Sequence, residues 1–207
     1  MINITNEDNM AMMARYPDNH FDLAIVDPPY GIDVTKMEMG GRKRNTTDKS
    51  KDWDTGVPTK EYFNELFRVS NNQIIWGGNY FEMPTSQYFA IWDKGDTMYG
   101  RSFAECEYAW VRSGGTRIYK KNPNQLNRIH PTQKPVKLYE WLLINYAKEG
   151  DKILDTHGGS LSIALAVHNV NQIDKMDLTL DVCELDPDYF NDGVNRYNNH
   201  IKQLTIF

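Results

Sequence analysis

Cysteine is nearly absent: the 207 residues contain two, Cys106 and Cys183, far apart and with no C-x-x-C pairing. That excludes a disulfide framework and a thiolate zinc site, and predicts two half-buried thiols. None of the five histidines is paired with another at i,i+4, so no metal is assigned. No run of 18 apolar residues occurs, and mean hydropathy is −0.64. A membrane span is therefore not expected, nor is a signal peptide at a start that lacks the basic-then-apolar pattern, so the expected location is the cytoplasm. Repeats with a period of 20–50 residues are also missing.

Net positive charge is lacking too, the formal total being −5, but the charge is segregated. Residues 112–137 hold seven basic side chains and no acidic one. Residues 42–51 hold five against Asp48, which leaves −16 on the rest of the chain. Such segregation predicts a basic binding strip on an acidic scaffold, with a solvated loop as the plainer reading.

What is present fits one domain over residues 1–207: 24.1 kDa with 40% apolar residues is enough for a sizeable core and too short for two ordinary domains. Short β-rich runs alternate with amphipathic stretches, which predicts a layered α/β domain. The expected strands are Ile2–Thr5, Phe21–Val26, Gln73–Trp76, Tyr88–Trp92, Glu105–Val111, Lys152–Asp155 and Thr179–Glu184, about seven in an open sheet. Helices are expected to begin at Asn9, Thr59, Pro135, Ser160 and Pro187, three of them at or beside a proline, whose missing N–H would be unpaired in a first turn. Stretches 32–57 and 112–129 show neither period and read as long loops, and both basic clusters fall in them.

Three segments carry chemistry. Asp27-Pro28-Pro29-Tyr30 follows the strand Phe21–Val26 directly. The two prolines end the strand and hold an extended backbone whose carbonyls lack ladder partners. A carboxylate, a fixed carbonyl and an aromatic ring at the carboxyl end of a strand can receive a planar amine, where a capped Pro-Pro turn is the bland alternative. Asp155-Thr156-His157-Gly158-Gly159-Ser160 is a strand end, a glycine turn and a helix start, where backbone can approach a ligand closely. Glu184, one strand–helix–strand unit after Asp155, stands where such folds grip a ribose. His130-Pro131-Thr132-Gln133-Lys134-Pro135 opens a helix, and Lys134 could meet a ligand carboxylate at the pocket edge.

In this order, D-P-P-Y, H-P-T-Q-K-P, the D-x-x-x-G-S turn and C-E-L-D-P-D-Y (Cys183–Tyr189) resemble the amino-methyltransferases that methylate DNA bases with S-adenosylmethionine. Having the catalytic motif first and the cofactor turn last resembles their β group, whose motif order is circularly permuted. The resemblance covers nearly the whole chain, including Ile74–Phe81, Phe89–Lys94 and Ala104–Trp110, which are similar to segments lining the target-base pocket. It implies a doubly wound Rossmann-like methyltransferase sheet with helices on both faces. D-P-P-Y rather than S-P-P-Y favours adenine N6 over cytosine N4. The family's F-x-G-x-G turn is here His157-Gly158-Gly159-Ser160-Leu161, so the pocket shape must differ. The short interval between Arg112 and His130 resembles compact phage-type or solitary methylases.

The resemblance implies the following roles. Asp27 and the Pro28 carbonyl would accept the two N–H bonds of a flipped-out adenine, with Pro29 and Tyr30 completing the catalytic segment and Tyr30 holding one face of the base. Asp155, His157, Gly158, Gly159 and Ser160 would surround the methionine part of the cofactor, with Thr132 and Lys134 nearby, Glu184 on the ribose and Asp8 on the adenine. Asp8 could equally cap a helix at Asn9. Arg42, Lys43, Arg44, Arg117, Lys120, Lys121 and Arg128 would face double-stranded DNA, and a homodimer follows by resemblance. A Pro-Cys nucleophile is lacking, which agrees with direct transfer. The alternatives are a cytosine-N4 or RNA methyltransferase, or a non-catalytic nucleic-acid binding module of the same shape.

Overall fold

Eight strands form a single sheet in the computed structural model, which describes residues 1–32, 54–101, 104–123 and 128–204. They are β1 (Ile2–Asn6), β2 (Phe21–Val26), β3 (Ser70–Trp76), β4 (Tyr88–Asp93), β5 (Cys106–Val111), β6 (Arg117–Lys120), β7 (Lys152–Asp155) and β8 (Thr179–Glu184). Their order across the sheet is β1-β8-β7-β2-β3-β5-β4-β6. All neighbours run parallel except β5, which is antiparallel to both β3 and β4.

The apolar runs explain which strands are central. From Leu23 onward β2 alternates between two cores: Leu23 and Ile25 enter one, and Ala24 and Val26 the other, which Phe21 at the start of the strand also joins. Ile74 and Trp76 of β3 fall on the first face and Ile75 on the second, as a period of two requires. The first face is covered by α3 (Val136–Tyr146) and α4 (Ser162–Ile173), with Val194 and Tyr197 of α5 (Pro187–Leu204) packed against it. The second is covered by α1 (Asn9–Met13) and α2 (Lys60–Val69), through Met12, Met13, Tyr62, Phe63, Leu66 and Val69. This is the expected doubly wound sheet with helices on both faces. No helix among the described residues is long and apolar enough to cross a membrane.

Four local expectations need correction. The sheet has eight strands rather than about seven: β6 lies inside the stretch 112–129 that reads as a loop. It is only four residues long and pairs on the outside of β4, where alternation is too brief to stand out. α4 starts at Ser162, not Ser160, because Leu161 takes a left-handed conformation (φ 55°) and caps the helix. Neither cysteine is half-buried: Cys106 is exposed at the start of β5, and Cys183 is buried, its thiol 3.5 Å from the Thr156 carbonyl.

The topology locates the site. From β7 the chain winds through α4 to β8 on one side, and from β2 through α2 to β3 on the other. β7 and β2 are neighbours, so the winding reverses between them and opens a crevice at their carboxyl ends. Asp155–Ser160 leaves one end and Asp27–Tyr30 the other.

Candidate active site

A cavity of about 470 Å³ occupies this crevice. It gathers residues from five separate segments: Asp8 after β1; Asp27 and Pro29 after β2; Thr132 and Lys134 before α3; His157, Gly158, Gly159 and Ser160 after β7; and Glu184 at the end of β8. Pro28, Tyr30 and Asp155, also expected at the site, are not among the residues that line it. Asn9, His130, Tyr139, Asp186 and Tyr189 line it without having been singled out for the site.

The glycine turn is held by its neighbours. The Gly158 N–H donates to the Cys183 carbonyl (2.8 Å), and the Gly159 N–H to Glu184 Oε2 (2.7 Å). Glu184 Oε1 accepts the Asp186 N–H (2.8 Å), so the carboxylate fastens the turn to the end of β8 and keeps lone pairs for a ligand. Burial raises the pKa of Glu184. Asp155 Oδ1 accepts the His157 N–H at 2.9 Å, and burial pushes its carboxyl up to about 8, so it supports the turn from beneath as a mostly neutral acid near pH 7. Leu161, fully buried, wedges its side chain under the turn: a Cβ on Gly158 or on Gly193 of α5 would come within 2.8 Å of it. Both glycines are thus fitted to the leucine that stands where the family carries glycine.

His157 replaces the usual phenyl ring with a hydrogen-bonded one. Its Nε2 lies 3.2 Å from Asn9 Nδ2, its Nδ1 3.0 Å from Thr156 Oγ1, and Thr156 Oγ1 is 2.7 Å from the Tyr62 hydroxyl. Burial lowers its pKa to about 4, keeping the imidazole neutral. His130, packed edge-on against Tyr189, is likewise lowered to about 4 by burial, with Lys134 adding to the shift. Asp8 caps α1, one carboxylate oxygen accepting the N–H groups of Met10 (2.9 Å) and Ala11 (3.0 Å). It also lines the cavity, so capping α1 and a place at the site are compatible.

Across the crevice, the Tyr30 hydroxyl donates to Asp27 Oδ1 (2.7 Å), while the N–H groups of Tyr30 and Gly31 donate to buried Asp54 (2.8 and 2.9 Å). The Tyr30 ring stacks on Tyr80, centroids 4.9 Å apart and planes at 12°. Gly77, at φ +69° after β3, leaves room for this ring: a Cβ there would lie 2.3 Å from it. Lys134, expected to meet a ligand carboxylate, has its ammonium on Asp27 Oδ2, 3.3 Å from Glu107 Oε2 and 3.4 Å from the Tyr30 hydroxyl. Glu107 of β5 in turn pairs with Lys94 at 2.9 Å. Burial raises the Asp27 pKa, with Lys134 opposing and Glu107 adding. Burial also acts to raise Glu107, but Lys134 and Lys94 bring it below the ordinary glutamate value.

Sequence reasoning missed Asn9, Tyr62, Tyr80, Lys94 and Glu107 as site residues. The last three lie in segments that resemble target-pocket lining, the one signal that points to them.

The basic strip is less uniform than the charge count. Arg42, Lys43 and Arg44 lie outside the described residues. Lys120 forms an ion pair with Asp96 (2.6 Å) and lies over the Tyr99 ring, and the Arg117 guanidinium lies over the Tyr146 ring. Lys121 is exposed, and Arg128 donates to the Pro123 carbonyl. Among the described residues no cluster of His, Cys, Asp and Glu could hold a metal ion.

Residues 86–173 match a family model described as DNA methylase. YubD of Escherichia coli (strain K12), named as a candidate methylase, is 24% identical over 181 residues, spanning 77% of this chain and 76% of that protein. Among solved structures, the M1.HpyAVI–SAM complex aligns over 96% of this chain and 100% of its own, with a TM-score of 0.61 and 18% identity. The PvuII DNA methyltransferase, cytosine-N4-specific, aligns over 95% and 86%, with a TM-score of 0.59 and 11% identity. These likenesses bear out the resemblance to the N6/N4 methyltransferases of DNA and leave adenine and cytosine both open.

Proposed function

We propose that this chain transfers a methyl group from S-adenosylmethionine to N6 of a flipped-out adenine in DNA. The observation that carries the reading is convergence: the D-P-P-Y acceptor after β2 and the glycine turn after β7 open into one cavity at the point where the sheet reverses its winding.

The cavity fits the cofactor in size and donor set. About 470 Å³ is within the usual range for a ligand of this class. The turn at Gly158–Gly159 brings backbone to the cavity wall without a side chain between, and Glu184 and Asp8 supply carboxylates for hydroxyl and amino groups. Thr132 and Ser160 add hydroxyls, and neutral His157 adds a flat, uncharged wall. When bound, S-adenosylmethionine supplies a methyl group activated by the positive sulfonium beside it.

The chain's own residues then deal with the base. An exocyclic amine is a poor nucleophile while its lone pair is delocalised into the ring. Asp27 and the Pro28 carbonyl accept its two N–H bonds, which turns the lone pair out of the ring plane toward the methyl group. After transfer the nitrogen carries a positive charge, and one of the hydrogens held by these acceptors leaves as a proton. Tyr30 and Tyr80 form a stacked wall, and Tyr80, 46% exposed, presents the outer ring on which an extruded base can lie. Adenine is favoured over cytosine by aspartate at the head of the motif. Lys121, Arg117 and Arg128 near the outer edge of the sheet are assigned to DNA phosphates.

The test is product analysis. Purified protein with labelled S-adenosylmethionine and duplex DNA should yield N6-methyladenine on nucleoside mass spectrometry, and Asp27→Ala should lower turnover at least a hundredfold, about 3 kcal/mol, while still binding the cofactor. Label recovered only as N4-methylcytosine, or only in RNA, would overturn the assignment. Cofactor binding without transfer to any nucleic acid would point to the non-catalytic binding module.

A further inference from the structure

Lys134 is 4% exposed, and a buried ammonium is costly unless each of its donors is met. It has three donors and three partners in reach: Asp27, Glu107 and the Tyr30 hydroxyl. The Tyr30 hydroxyl donates to Asp27 in turn, closing a triangle of lysine, aspartate and tyrosine. The backbone beside it is also fixed, since the Lys134 carbonyl accepts from Ser162 Oγ (2.9 Å) at the start of α4. Beyond Glu107 stands Lys94, so charges alternate from Lys94 through Glu107 and Lys134 to Asp27 across four segments of the fold.

We propose that Lys134 is a positioning residue acting through Asp27: it is the counter-ion that keeps the acceptor carboxylate charged and turned to the cavity, and Glu107 with Lys94 holds it there. The proposal rests on the reading of Asp27 as the amine acceptor. It differs from the cofactor-carboxylate role that the H-P-T-Q-K-P motif suggests, because the three donors are already engaged.

A pH signature follows from what surrounds Asp27. Tyr30 faces it from its own loop, Glu107 from β5, Tyr139 from α3 and Asp155 from β7, with Lys94 and Arg128 acting through Glu107. Among the described residues Lys134 is the one cation in direct contact. Without it, burial and the Glu107 charge both favour protonated Asp27, which cannot accept through the oxygen that carries the proton.

In Lys134→Gln, the acid limb of kcat/KM for methyl transfer to duplex DNA should move up by about 1–3 pH units, with activity partly recovered on the alkaline side. Cofactor Kd, measured by calorimetry, should stay within about twofold of wild type. An unmoved acid limb overturns the proposal, and so does a tenfold loss of cofactor affinity, which would return Lys134 to the cofactor carboxylate. If the variant does not fold, carbon-13 titration of labelled aspartates in the wild type, with Asp27 assigned through Asp27→Asn, decides instead. Asp27 should be ionised at neutral pH, and a protonated Asp27 refutes the role. That titration needs no turnover, so inactivity of the wild type would refute the methyl-transfer reading and leave the Lys134 proposal to the titration.

Discussion

Gly77→Ala probes the seat of Tyr30 without touching a hydrogen-bonding group. At φ +69° an alanine pays the left-handed penalty of about 1–2 kcal/mol. Its methyl would also lie 2.3, 2.6 and 2.7 Å from three atoms of the Tyr30 ring, and overpacking of this kind costs about 1–3 kcal/mol. The ring cannot yield cheaply, because its hydroxyl is bonded to Asp27, its face to Tyr80 and its backbone N–H to Asp54. The combined loss is about 2–5 kcal/mol, which for a chain of this length lowers Tm by about 4–20 °C. Urea or thermal unfolding measures it, and a double-mutant cycle separates the two parts. With Tyr30→Ala the clash disappears and only the backbone penalty remains, so the coupling between the substitutions should be about 1–3 kcal/mol. Methyl transfer should fall with the displaced ring while cofactor affinity holds, since the glycine turn and Glu184 lie on other strands. Additive effects, with coupling below about 0.5 kcal/mol, would mean that Tyr30 is not seated against Gly77.

Two further outcomes are expected. Burial lowers the His157 pKa from its ordinary 6.5 to about 4, so its contribution to stability is fully present above pH 6.5 and is lost as pH falls through 4. His157→Phe should flatten that acid limb by up to about 3 kcal/mol, read from urea midpoints between pH 7 and 4, and an unchanged limb would refute the neutral buried imidazole. In a salt series by fluorescence anisotropy, Lys121→Ala should lower the log–log slope of DNA binding by about one, and Lys120→Ala by less, because Asp96 already neutralises Lys120. Equal slopes for wild type and Lys121→Ala would mean that this edge of the sheet does not meet phosphate.

The parts of the site legible in the sequence are those that follow a strand without interruption. Asp27–Tyr30 and Asp155–Ser160 declare themselves because a buried strand, a turn residue and a polar group stand in immediate succession, and Glu184 because it ends the next strand. Lys94, Glu107 and Tyr80 come beside Lys134 and Tyr30 only through pairing of β3, β4 and β5, a matter of sheet order that local periodicity does not encode. The same limit applies to charge: a count over residues 112–137 sees Lys120 but not Asp96, which the fold brings beside it. Leu161 is visible as a departure from glycine, yet its left-handed backbone and its fit to Gly158 and, across on α5, to Gly193 appear only in the folded chain.

Among the described residues strand β1 has one neighbour, β8, whose residues Leu180–Glu184 pair with Ile2–Asn6. On a ribosome adding about 5–20 residues per second, β1 therefore waits on the order of ten to thirty seconds for β8. During that interval it is a short, exposed edge, and its asparagines, Asn3 and Asn6, have yet to meet Asp181 and the Glu184 carbonyl. Asp8 waits with it. The nascent chain can assemble the β2–β3 acceptor half before the half that Asp8, Glu184 and the glycine turn complete, so competence to bind waits for β8.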